Sequence, residues 1–205
     1  LGWHSYNWRM ARKKGILPST EQINKAKAAS GWKNLQLDHQ TRSATKMVEN
    51  MRLDLGGIGK GYAADGMLDV LKKHSITSAS IIAGGEILLG DPPPDKKGWQ
   101  VTLMTLDTES TITPKKITRA NCAISTSGDL YQSITIDGQT YSHIVNPATG
   151  LGLTQRISAT VIGPNCTLTD ALATAFCVNP QLSHPHVETI IVTENTGGAL
   201  KIIQN

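Results

Sequence analysis

Apolar positions along this chain recur at two spacings, and the change from one to the other marks its elements. Trp8 to Lys14 reads as the end of a helix, stopped by Gly15 and Pro18. Ser19, with Gln22 three residues on, fits a capping box, and Ile23 and Ala26 carry that helix to Ala29 before Gly31 ends it. Asn34 to Asp38, Ala44 to Val48 and Met51 to Leu55 read as short strands, the third delivering the chain into a glycine-rich turn. Leu68 and Leu71 share a face of a helix predicted from Gly59 to His74. Strands follow at Ile76 to Ala83 and Glu86 to Leu89, parted by Gly84-Gly85, and the proline run after Asp91 is a surface loop.

Beyond that loop strand patterns dominate. Asp137-Gly138 is a hairpin turn between Tyr131 to Ile136 and Gln139 to Val145. Ile157 to Ile162 is a strand, and Thr167 to Val178 a short, alanine-rich apolar helix. Thr189 to Thr193 and Ala199 to Ile203 form a closing hairpin around Gly197-Gly198. With no internal repeat, the fold class is α+β: mainly antiparallel sheets with a few packed helices.

The 205 residues suffice for one domain core, and 39% apolar with 18% charged residues is an ordinary globular balance. Twenty basic against sixteen acidic residues leave +4, part of it in Arg9 to Lys14, a solvated helix face. No basic stripe with interleaved aromatics appears, which argues against nucleic acid. No apolar run reaches membrane-spanning length. Cys122, Cys166 and Cys177 match no metal-binding spacing and read as buried free thiols. Leu1 in place of an initiator methionine suggests that the chain starts inside a longer protein, so targeting signals cannot be read from it.

Four stretches could carry chemistry. In Asp54-Leu55-Gly56-Gly57-Ile58-Gly59-Lys60-Gly61-Tyr62-Ala63-Ala64-Asp65, glycines open the backbone to a ligand. The following helix offers its N-terminus to an anion, and Lys60 adds a mobile charge suited to phosphate. The competing reading is a tight strand-to-helix turn that binds nothing; neither a P-loop nor a Rossmann glycine order is present. Gly84-Gly85-Glu86 places a carboxylate for a ribose or base edge, or is a β-bulge with a surface glutamate. Ser125 to Asp129 and Tyr141 to Gly150 bracket the hairpin, with His143 at a strand end as base, acid or phosphate ligand, or as an ordinary satisfied histidine. Asp170 and Thr174, at i and i+4 on the apolar helix, share one face. Either a hard cation such as Mg²⁺ compensates that carboxylate, or Asp170 faces water or caps its helix.

Taken in order, these stretches resemble the ApbE family of flavin transferases over nearly the whole chain from Trp8, and the resemblance implies a T-fold-like architecture. It implies binding of FAD as substrate with Mg²⁺, cleavage of the FAD pyrophosphate, passage of FMN to a threonine or serine hydroxyl of an acceptor protein, and release of AMP. By motif position, Asp54, Lys60, Val145 and Glu86 contact FAD, the Gly57 carbonyl, Asp170 and Thr174 hold the metal, and His143 is the motif histidine near the reacting phosphates. Asn146 stands where the family usually has Asp. The resemblance further implies a single domain, residues 1–205, lacking an N-terminal portion that follows a signal or lipid anchor. The acceptor would be a subunit of a membrane electron-transfer complex, the address periplasmic or membrane-anchored on the outer face of the bacterial inner membrane. Two rivals keep the site: a FAD pyrophosphatase giving FMN and AMP, and a non-catalytic flavin-binding module.

Overall fold

The computed structural model describes residues 2–103, 115–129, 132–194 and 199–204. In chain order the helices and strands are α1 (Gly2–Lys14), α2 (Thr20–Ala28), β1 (Leu35–Asp38), β2 (Ser43–Lys46), α3 (Gly59–Lys73), β3 (Ser80–Ala83) and β4 (Glu86–Leu89). They continue as β5 (Trp99–Leu103), β6 (Lys115–Arg119), β7 (Cys122–Gly128), β8 (Ser133–Ile136), β9 (Gln139–Ser142), β10 (Ile157–Gly163), α4 (Cys166–Val178), β11 (Glu188–Glu194) and β12 (Leu200–Gln204). All pairings between these strands are antiparallel. No described helix is long and apolar enough to cross a membrane.

The chain forms two compact units. The first joins Leu1–Asp54 to Gln132–Thr154. Its second helix starts as the sequence predicts: Gln22 N–H donates to Ser19 Oγ at 3.2 Å, and Ser19 N–H to Gln22 Oε1 at 2.9 Å. Its core sets Trp8 and Ala11 of α1 against Ile136 and Val145, ringed by Leu17, Ile134, Tyr141 and Leu151. The Trp8 indole N–H donates to Ser142 O at 2.9 Å, which satisfies the polar edge of a ring only 1% exposed.

The second unit joins Leu55–Tyr131 to Gln155–Asn205. Its six-stranded sheet runs β12-β11-β10-β7-β4-β3. Period-two alternation gives each face its own partner. Leu88 and Ala123 point to the helices, where Ala64, Leu68 and Cys166 close over them. Leu89, Ile124 and Ile162 point the other way, against Val101 and Leu103 of the β5–β6 ribbon. The same alternation sends Glu86, Ser125 and Ser127 to the helix face, so the strands that build the apolar core also present a polar end to α4.

Some predicted elements differ. Met51 to Leu55 is not a strand: only Met51 is buried, Leu53 and Leu55 are exposed, and the segment has no strand partner among the described residues. Ile76 to Ala83 shortens to β3: Ile76 N–H closes α3 on Leu71 O, while Thr77 O and Ala79 O accept from the N–H groups of Asp91 and Gly90. The apolar pattern beyond the proline loop does not delimit β5, β6 and β7 individually. Tyr131 and the Gly197-Gly198 turn lie outside the described residues.

Candidate functional site

The second unit gathers five of the predicted site residues. The chain leaves Gly56-Gly57 in a turn and enters α3, whose N-cap, Ile58, has no side chain able to accept the orphan N–H groups. Asp170, from α4, takes over: Gly61 N–H donates to its Oδ2 at 2.9 Å. In return Asp65, from α3, accepts from the backbone N–H groups of Cys166 and Thr167, each at 2.8 Å, and from the Thr167 hydroxyl. Each helix thus caps the other. The pair approaches so closely that a Cβ on Gly61 would meet Cys166 O at 2.2 Å. Asn165 adds the local cap of α4, accepting from Leu168 N–H at 2.9 Å.

Lys60 bridges two carboxylates. Its Nζ lies 3.0 Å from Glu86 Oε1 and 3.2 Å from Asp170 Oδ1. The Glu86 and Asp170 side chains are 3% and 1% exposed, that of Lys60 43%. Burial opposes the charge of Lys60, but Glu86 and Asp170 outweigh it and hold the ammonium above its usual range. Burial pushes the Glu86 carboxyl up; Ser125 and Lys60 pull it back only in part, and Asp170 adds to the rise. The Lys60 stem crosses Gly84, where φ is +62° and a Cβ would come within 3.3 Å of Lys60 Cδ. Gly84-Gly85 is therefore the two-residue turn of the β3–β4 hairpin, and Glu86 is a buried partner of Lys60, neither a bulge nor a surface residue.

Asp170 neither faces water nor caps its own helix. One turn on, Thr174 Oγ1 lies 3.1 Å from Ser127 Oγ, and a Cβ on Gly57 would sit 3.4 Å from that same Oγ1. A buried carboxylate, a hydroxyl and a loop backbone form an all-oxygen donor set, the kind a hard divalent cation takes. Among the described residues no three of His, Cys, Asp and Glu cluster in metal-binding fashion, so the donor set here has a single carboxylate at its centre. The helix end is less open to an anion than the sequence suggests. Gly59 N–H is spent on Leu55 O and Gly61 N–H on Asp170, which leaves Lys60 as the main positive contribution.

Asp54, His143 and Val145 belong to the first unit. Asp54 Oδ2 pairs with Arg9 Nη2 at 3.4 Å. His143 is half-buried just past the end of β9, its N–H donating to Gln132 O at 2.9 Å. Val145 is buried in the Trp8 core and bridges Gly152. Asn146 Oδ1 accepts from Ala148 N–H at 2.9 Å, a turn bond that an Asp would make equally well, so this departure from the family pattern leaves the local turn intact.

Asp65, Ser125, Ser127 and Thr169 make site contacts that their motif positions do not single out. Ser125 Oγ and Thr169 Oγ1 lie 2.7 Å apart beneath α4. The alternation of β7 carried the signal, since it puts Ser125 and Ser127 on the face opposite Ile124.

Residues 3–187 match the ApbE family. A Chlamydia muridarum protein named FAD:protein FMN transferase is 31% identical over 172 residues, covering 82% of this chain and 52% of its own length. A Vibrio cholerae protein of the same name is 31% identical over 164 residues, 80% of this chain and 48% of its own. The chain therefore spans about half the length of these relatives. Among solved structures, the flavin transferase ApbE from Vibrio cholerae superposes with a TM-score of 0.82 at 25% identity, covering 100% of this chain and 67% of that one. The ApbE protein of Thermotoga maritima does so with 0.79 at 25% identity, over 98% and 68%. With nine-tenths of its length inside the family match and the capped glycine turn in place, this chain belongs to the ApbE family.

Proposed function

We propose that this chain moves FMN from FAD to a threonine or serine hydroxyl of an acceptor protein, with AMP leaving. The observation that carries the reading is the Lys60 bridge between buried Glu86 and Asp170 at the glycine turn, in a chain whose relatives bear the name FAD:protein FMN transferase.

The hydroxyl oxygen attacks the FMN-side phosphorus, the bond to the bridging pyrophosphate oxygen breaks, and AMP departs with that oxygen. Such a transfer asks a protein for positioning and charge neutralisation. Lys60, anchored on one side and open to solvent on the other, holds a phosphate oxygen in place. The oxygen donors Asp170, Thr174 and the Gly57 carbonyl are the residues that would hold Mg²⁺, which when bound neutralises negative charge on the pyrophosphate. Ser127 orients the Thr174 hydroxyl, and Gly61 N–H orients the Asp170 carboxylate. By its motif position, His143 is the residue that would accept the proton of the attacking hydroxyl. Asp54 and Val145 contribute to FAD binding, as their motif positions imply.

AMP release from FAD with Mg²⁺, measured with and without an acceptor domain, tests the reading. Acceptor-dependent AMP with a fluorescent acceptor band supports transfer, and Asp170→Asn is expected to abolish both. AMP without labelling would replace the transferase by a pyrophosphatase; bound FAD with no AMP would leave a binding module. The acceptor class we propose is a subunit of a membrane electron-transfer complex, met on the outer face of the bacterial inner membrane. Protease accessibility in spheroplasts checks that address, and full protection would overturn it.

A further inference from the structure

We propose that Lys60 is a resident counter-ion which a divalent cation must displace from Asp170, and that Glu86 is the seat that receives it. The inference rests on the cation reading above and concerns how this chain's own residues regulate it. Lys60 Nζ reaches both carboxylates at once, 3.2 Å from Asp170 and 3.0 Å from Glu86. Neither acid reaches water, so each depends on positive charge supplied by the protein or by what it binds. Of the three side chains Lys60 alone is substantially exposed and free to shift, and Gly84 keeps its stem unobstructed.

A dication on Asp170 would stand a few ångströms from the ammonium, and like charges at that range repel strongly. Glu86 already holds the ammonium and cannot leave β4, where it pairs in register with Ser125. Lys60 therefore swings onto Glu86 alone. A donor freed from Asp170 then turns to the phosphate, so the cation and the phosphate-binding lysine are set in one movement. Without Glu86 the ammonium would have only Asp170 to neutralise and would compete harder with the cation.

Equilibrium binding of Mn²⁺, an EPR-visible substitute for Mg²⁺, tests this without FAD or turnover. Lys60→Gln is expected to bind Mn²⁺ on the order of tenfold tighter than the parent and Glu86→Gln on the order of tenfold weaker. Asp170→Asn should lose binding. In the double variant the Glu86→Gln effect should shrink, because its partner is gone. Circular dichroism checks each fold, and Lys60→Met replaces Lys60→Gln if that variant unfolds. Parent binding that Asp170→Asn abolishes, with equal or weaker binding by the Lys60 variants, would overturn the displacement and leave the cation reading standing. Binding that Asp170→Asn leaves unchanged, or none in any variant, would overturn both.

Discussion

At position 61 one methyl group decides whether two helices touch. A Cβ there would lie 2.2 Å from Cys166 O and 2.9 Å from Asp170 Cβ, both on α4, where neither backbone nor buried carboxylate can retreat. Gly61→Ala is expected to cost about 3 kcal/mol or more in urea unfolding, well beyond the small gain that alanine brings to an unobstructed helix. His4 makes a second prediction. It is 2% exposed, and burial first, with the charge of Lys27 adding to it, holds its imidazole below the usual value of 6.5. The unfolded chain takes up a proton near pH 6.5 that the folded chain refuses, so this contribution is full above 6.5. It is lost as pH falls through 6.5 toward the folded value. The fall in melting temperature between pH 7.5 and pH 5.5 should be shallower in His4→Asn; an unchanged slope would remove His4 from the account.

For the elements, the exchange of caps between α3 and α4 replaces the local capping that α3 lacks. Asp65 satisfies three donors at the start of α4, so Asp65→Ala should cost about 2 kcal/mol, the upper range for a helix cap. Denaturant titration would show this as a shifted midpoint with unchanged slope. Elements whose cause is local were legible in the sequence: the Ser19–Gln22 box, the Asp137-Gly138 turn, the apolar periodicity of α4. Met51 to Leu55 misled because alternation shows which residues could pair, not whether a partner strand exists. The site divided along the same line. Lys60, Asp170 and Thr174 stood out by type and spacing. The tie between Asp65 and Cys166 spans 101 residues and leaves no periodic trace, and the sequence leaves Glu86 open between a ligand-facing carboxylate and a surface residue because its burying partners come from α3 and β7.

Across the whole molecule, each compact unit carries residues of the flavin-transferase motifs, so loss of function should follow from variants in either. His143→Ala is expected to lower acceptor labelling by about 100-fold, in the range general-base catalysis contributes, with the circular dichroism spectrum unchanged. Full-rate transfer by that variant would remove His143 from the chemistry. Two of the three cysteines should stay silent throughout; Cys122, expected to be buried, is only half-buried. Burial raises the thiols of Cys166 and Cys177 to about 12, so neither should react with a thiol-directed reagent in the native state at pH 8, and labelling should appear only on unfolding.

The capping exchange has a consequence in time. Gly61 and Asp170 are 109 residues apart, so the turn that holds Lys60 leaves the ribosome long before the carboxylate that completes it. At roughly 5–20 residues per second that interval lasts about 5 to 20 seconds. Throughout it, the nascent glycine turn has no α4 to close on, and the phosphate site proposed at Lys60 is incomplete. Capture of the proposed ligand is thereby postponed until α4 has been made.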